Sequence, residues 1–137
     1  MKRLVLLILV EVLIISQTIY AGWIRTYGLH ESTEEGLSLV QTDDGGYLII
    51  GYTTLWGSGG KDIWLLRIDS LGDTLWTRTY GGPDDDYPAE ISPTEDGNYL
   101  ISAYSSSLDG VWFLKINRIG DTLWTHLHKR LEGESPP

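Results

Sequence analysis

Cysteine is absent from the 137 residues, which removes disulfides, thiolate zinc sites and thiol nucleophiles together and leaves burial as the source of stability. Basic charge is scarce: 10 Lys and Arg face 19 Asp and Glu, for a formal net charge of -9. That sign is wrong for following phosphates or resting on an anionic membrane, so no nucleic-acid partner is expected. Three histidines leave little for an imidazole metal cage. A nucleophile elbow, a P-loop, a dinucleotide fingerprint and a paired-histidine zinc motif are all missing, so no enzyme is read from the sequence. Helical periodicity is missing too from everything beyond residue 21. What is present is 42% hydrophobic residues with 16 Gly, 6 Trp and 8 Tyr, the composition of a globular or repeat protein rather than of a disordered tail.

The one long apolar run is at the start. Lys2 and Arg3 precede Leu4 to Ile15, and Ser16, Gln17 and Thr18 lead to Ala21, the basic, apolar and polar order of a secretory signal peptide. Residues 1–21 are therefore expected to be a leader cleaved after Ala21, placing the mature chain outside the cell, in the periplasm or on the cell surface, with no membrane attachment after cleavage. An uncleaved anchor is the competing reading, but the run is shorter than the ~20 apolar residues of a membrane span and contains Glu11. Losing Lys2, Arg3 and Glu11 would make the exported part more acidic than the precursor.

Past the leader the chain repeats itself. Trp23-Ile24-Arg25-Thr26-Tyr27-Gly28 returns as Trp76-Thr77-Arg78-Thr79-Tyr80-Gly81, and Thr42-Asp43-Asp44-Gly45-Gly46-Tyr47-Leu48-Ile49 as Thr94-Glu95-Asp96-Gly97-Asn98-Tyr99-Leu100-Ile101. Ile63-Trp64-Leu65-Leu66-Arg67-Ile68 returns as Val111-Trp112-Phe113-Leu114-Lys115-Ile116, and Gly72-Asp73-Thr74-Leu75-Trp76-Thr77 as Gly120-Asp121-Thr122-Leu123-Trp124-Thr125. Each unit reads as four strands: 37–42, 47–53, 62–69 and 74–80 in the first, then 89–94, 99–104, 111–117 and 122–128 in the second. The third strand of the first unit, 62–69, is near-continuously apolar, which predicts burial on both faces. Asp-Asp-Gly-Gly and Leu-Gly-Asp segments supply the turns.

Four-stranded units of about 50 residues have the size of β-propeller blades. The chain resembles the tryptophan-rich propeller repeats of secreted bacterial proteins, whose units read Thr-x-Asp-Gly-Gly-Tyr, Asp-Ile-Trp-Leu-x-Lys, then Gly-x-x-x-Trp-x-x-x-Tyr-Gly-Gly, over about residues 23 to 128. Ile68 to Trp76 is also similar to quinoprotein propeller repeats and, more loosely, to the Asp-box of sialidases, although Asn117 replaces Asp69 in the second copy; these are analogies of fold. The expected architecture is all-β: two four-stranded antiparallel blades, 29–81 and 82–128, a leading strand at 23–28 standing in for the fourth strand of a missing neighbour, and a polar tail at 129–137. Two blades do not close a ring, and each end is expected to leave one apolar sheet face uncovered, which invites association or aggregation. Three arrangements remain open at this level: copies that complete a propeller as a homo-oligomer, a short or truncated member of a longer family, or an open two-sheet sandwich.

Candidate site residues are few. Trp23, Trp76 and Trp124, like Trp64 and Trp112, recur at matched positions, which argues packing. Trp56 has no counterpart and lies in a Gly- and Ser-rich loop, so it is the tryptophan expected to meet a protein or carbohydrate ligand or to fold back on a blade edge. Asp84, Asp85 and Asp86 join the two units, as Glu31, Glu34 and Glu35 precede the first. Such oxygen-rich loops suit calcium, though without EF-hand order, and no other cofactor is expected. Asp43, Asp44, Glu95 and Asp96 read as turn residues. His126 and His128 would share one strand face, better explained as a solvated strand than as a metal pair, and His30 belongs to no motif. The function expected is a secreted, non-catalytic binding or assembly module; a fragment of a larger propeller enzyme or surface protein and a decayed gene product are the alternatives.

Overall fold

The computed structural model describes residues 4–14, 17–28 and 33–129. His30, Glu31, the tail from residue 130 and the side chain of Trp23 lie outside the described part.

Tight turns at matched places divide the chain. The amide of Thr42 donates to Gly46 O and that of Gly45 to Thr42 O, both at 2.9 Å, and Thr94, Asn98 and Gly97 repeat the pattern at the same lengths. Gly45 and Gly97 have φ of 82° and 76°, a left-handed backbone that glycine enters without a Cβ clash. The second turn closes on a side chain: Asp69 Oδ1 accepts from the amides of Leu71 and Asp73 at 2.8 and 2.9 Å, and Asn117 Oδ1 accepts from Ile119 and Asp121 at 3.0 and 2.9 Å. An amide oxygen does the carboxylate's work there, so Asn for Asp leaves the turn unchanged.

Between these turns run β1 (Leu4–Ile14), β2 (Gln17–Tyr27), β3 (Glu34–Gln41), β4 (Tyr47–Thr53), β5 (Asp62–Ile68), β6 (Thr74–Tyr80), β7 (Asp86–Pro93), β8 (Tyr99–Ser105), β9 (Gly110–Ile116) and β10 (Thr122–Lys129). Strands β3-β4-β5-β6 form one antiparallel four-stranded sheet, blade 1, and β7-β8-β9-β10 another, blade 2. The fold is all-β, an incomplete propeller of two blades. Register irregularities recur at equivalent places, Gly36/Ser38 with Pro88/Glu90, and Arg67/Ile68 with Thr122/Trp124, so the bulges belong to the repeat. Pro88 stands on an edge strand, where a missing amide is tolerated.

The leading strand differs in extent from the expected 23–28. It is the end of β2, which pairs with β1 from Leu4↔Tyr27 to Ile14↔Gln17, so the residues expected to form a leader span β1 and the start of β2, and a cut after Ala21 would fall within β2. Among the described residues no helix is long and apolar enough to cross a membrane.

Each blade has a face toward the preceding blade, its leading face, and one toward the next, its trailing face. The trailing face of blade 1 and the leading face of blade 2 make one core of Leu48, Ile50, Ile63 and Leu65 against Ile91, Tyr99, Ile101, Ala103, Leu114 and Ile116. Each side chain fully buried there contributes about 1.5–3 kcal/mol. Strand β7 lies close to β3, β4 and β5 while the outer strands diverge, and the widening gap is filled by Trp76, Tyr80 and Trp112. A wedge that opens outward needs its largest side chains on the outer strands, which accounts for a tryptophan on the fourth strand.

On the leading face of blade 1, Tyr47, Ile49, Trp64, Leu66 and Ile68 form a second cluster with Tyr27 of β2. These five match Tyr99, Ile101, Trp112, Leu114 and Ile116 of blade 2 residue for residue. The junctions match as well: Tyr27 Oη donates to Gly72 O at 2.7 Å, and Tyr80 Oη to Gly120 O at 2.6 Å. The end of β2 therefore occupies the place of a preceding blade's fourth strand.

The trailing face of blade 2 is bare. Strand β5 is buried along its whole length, as expected, but β9 is buried on one face alone: Val111 is 40% exposed and Phe113 and Lys115 are half-buried, while beside them Trp124 of β10 is 46% exposed and Leu100 of β8 half-buried. This is the uncovered apolar face expected at the end of a two-blade stack. The counterparts of Val111 and Phe113 in blade 1, Ile63 and Leu65, are fully buried because blade 2 covers them, and nothing among the described residues does the same for blade 2.

Candidate functional site

The loops at one end of the blade junction bring the predicted residues into one neighbourhood but to different environments. Residues 54–61 connect β4 to β5, 81–85 connect the blades, and 106–109 connect β8 to β9. Backbone bonds knit them: Asp86 N to Lys61 O at 2.6 Å and Ser106 N to Asp85 O at 2.9 Å. The shorter third loop leaves room for the first, whose Gly59 and Gly60 lie so close to Pro83 and Asp85 that a Cβ at either would collide.

The three aspartates do not converge. Asp84 is exposed, and its amide donates to Ser107 Oγ at 3.0 Å. Asp85 accepts from the Lys61 amide at 2.8 Å and from Tyr87 Oη at 2.8 Å, bonds that hold its carboxyl below the usual range. Asp86 is fully buried, with Oδ2 accepting from Gly82 N at 2.7 Å. Glu34, its counterpart at the head of β3, is also buried; a buried acid opening the first strand is part of the repeat.

Sequence reasoning missed Asp62 as a member of this end. It is 2% exposed, and burial pushes its carboxyl above the usual range, with Asp86 and Asp85 adding to the rise. A Cβ on Gly81 would collide with Asp62 Oδ1 and lie 2.8 Å from Asp86 Oδ2, so glycine is what lets the two acids lie beside the inter-blade link. The signal was present: an aspartate heading a strand whose following residues, Arg67 apart, are all apolar is an anomaly. Among the described residues no group of three or more His, Cys, Asp or Glu is placed to hold a metal ion.

Trp56 sits at the other side of its loop. Its ring lies 6.1 Å from that of Trp64 at 47°, so it folds back toward the leading face of blade 1 while remaining 37% exposed. Nearer the inner strands, Lys61 Nζ stands 4.5 Å from the Tyr52 ring and 5.0 Å from the Tyr87 ring, a cation between two aromatic faces. Tyr52 Oη bonds Glu35 at 2.7 Å, a bond that, with burial, raises its ionisation above the ordinary value.

At the opposite end, a crevice of about 280 Å³ between the blades is lined by Asp43, Asp44, Arg67, Trp76, Tyr99 and Arg118. Arg67 is 6% exposed and donates to both Asp44 oxygens at 2.7 and 2.6 Å. Asp44 also accepts from Thr42 Oγ1 and Gly46 N, and these bonds first, then Arg67, hold its carboxyl at about 2. Lys115 and Asp96 repeat the pair in blade 2. These charges close turns on strands, as expected for Asp44 and Asp96; Asp43 instead reaches Arg118 at 3.4 Å. His126 and His128 lie opposite Phe113 and Val111 on the bare face and are exposed.

No protein-family model matches the chain, and no curated protein matches it at a significant level.

Proposed function

We propose that the protein is exported and works as a non-catalytic assembly module of propeller type, its loops presenting a binding surface for a protein or carbohydrate ligand. The resemblance of its repeats to tryptophan-rich propeller repeats supports the propeller reading, and the leader-like order of residues 1–21 supports export. One observation carries the assembly reading: the trailing face of blade 2 leaves Val111 and Trp124 40% and 46% exposed at positions whose counterparts in blade 1 lie against another blade. Contiguous apolar surface on a sheet face marks an interaction site. Two blades supply half of the smallest common propeller, so assemblies of two, three or four copies would contain about four to eight blades.

The test is solution mass. The full chain, produced with its leader and with its N-terminus read by mass spectrometry, is expected to begin at Gly22 and to scatter light as a discrete oligomer that Phe113→Glu dissociates. A monomer at all concentrations would refute the assembly reading.

A further inference from the structure

Both ends of the two-blade stack are unfinished, and they are unfinished in complementary ways. At the trailing end the face of β9 and β10 is bare. At the leading end β2 covers the outer part of blade 1 and β1 approaches its inner strand β3, but the cover is partial: Leu39 is 43% exposed, whereas Ile91, its counterpart in blade 2, is 4% exposed under blade 1. The cover is the two-stranded hairpin of β1 and β2 where the other junction has a whole four-stranded sheet.

The chemistry of the two ends names the occupant. Of the seven side chains with which blade 2 covers blade 1, the five Tyr99, Ile101, Trp112, Leu114 and Ile116 are identical on the leading face of blade 1, while Ile91 and Ala103 are replaced there by Leu39 and Gly51. A second copy thus brings to the bare face of blade 2 the surface already proven at the internal junction, while an unrelated partner would have to reproduce it. The hydrogen bond at each junction points the same way. Tyr80 of blade 1 bonds the turn carbonyl of Gly120, and Tyr27 bonds that of Gly72 in the role of the strand before it. In β10 the position of Tyr80 is taken by His128, exposed on the bare face and able to donate through a ring N–H.

We infer that a second copy of this chain docks head to tail, the leading face of its blade 1 on the trailing face of blade 2, and that the end of β2 is a placeholder which the incoming β10 displaces from Gly72. The inference rests on the assembly reading above and adds its geometry and its partner. Such a contact is heterologous, so it propagates until the blades close a ring.

The chain lacks cysteine, which makes cross-linking clean. At the internal junction the Ile91 amide contacts Ser38 Oγ at 3.5 Å; the equivalent positions across two copies are Glu90 of one and Leu39 of the other, both exposed. Full chains carrying Glu90→Cys and Leu39→Cys are made separately, mixed and oxidised. A covalent dimer is expected from the mixture and from neither chain alone. Dimers from Glu90→Cys alone, or an oligomer by light scattering whose mixture does not cross-link, would overturn the head-to-tail geometry while leaving the assembly reading in place. A monomer by light scattering would overturn both. His128→Tyr supplies a second readout independent of the cysteines: restoring the hydroxyl used at the other two junctions is expected to lower the concentration for half-association by about 2- to 10-fold, and an unchanged or higher value would overturn the displacement of Tyr27.

Discussion

Ile63 and Val111 stand at the same place in the repeat with opposite surroundings, so truncating each to alanine isolates what a neighbouring blade contributes. Ile63 has no exposed surface, and Val111 is 40% exposed. Ile63→Ala removes three carbons from the junction core. At about 0.8 kcal/mol for each buried carbon, plus a cavity that the sheets cannot collapse to fill, the loss should be about 3–4 kcal/mol. Val111→Ala removes two carbons from a face with nothing against it, so its cost should stay within about 0.5 kcal/mol. Urea unfolding of both variants, at protein concentrations low enough to keep the chain monomeric, measures the difference. With a slope of about 1–3 kcal/mol per molar, Ile63→Ala should lower the midpoint by at least 1 M while Val111→Ala leaves it nearly in place. A Val111→Ala loss above about 2 kcal/mol in the monomer would mean that its face is already covered, and the assignment of a bare trailing face would be wrong.

Tyr80→Phe should destabilise the monomer by about 1 kcal/mol through the lost bond to Gly120. Burial raises the Tyr80 hydroxyl to about 12, so the stability from its neutral form is present below the ordinary tyrosine value near 10 and disappears as pH rises through about 12. Denaturation followed from pH 9 to 12 should show an alkaline loss that Tyr80→Phe reduces. Asp44 runs the opposite way: held at about 2, it stabilises the fold above the ordinary carboxyl range and stops doing so as pH falls through about 2. Carbon-detected NMR titration of Asp44 should place its midpoint well below the ordinary aspartate value near 3.9, and a midpoint at that value would contradict the bonds to Thr42 and Gly46. Gly81→Ala should cost about 1–3 kcal/mol, since its Cβ meets Asp62 and Asp86; pairing it with Asp62→Ala, which clears the space, should recover part of the loss in a double-mutant cycle.

The sequence alone determined the eight strands of the two blades and the turns between them, but not β1 or the first part of β2. Glycine at positive φ beside Asp, and period-two apolar segments between such turns, act within a few residues, and local chemistry of that reach is legible in one dimension. The repeat then implied two like blades and a leading strand equivalent to β6. Three things were decided only in space. Asp84, Asp85 and Asp86 are neighbours in sequence but differ in burial and partners, because β7 begins at Asp86 and turns it inward while Asp84 stays in the loop. Asp62 joins the same end through a contact between blades that no local pattern encodes. The clearest case is β9, whose composition matches that of β5 while its burial does not. Whether a sheet face is covered depends on a second surface brought from elsewhere, and blade 1 has that surface in blade 2 while blade 2 presents an equivalent face to solvent.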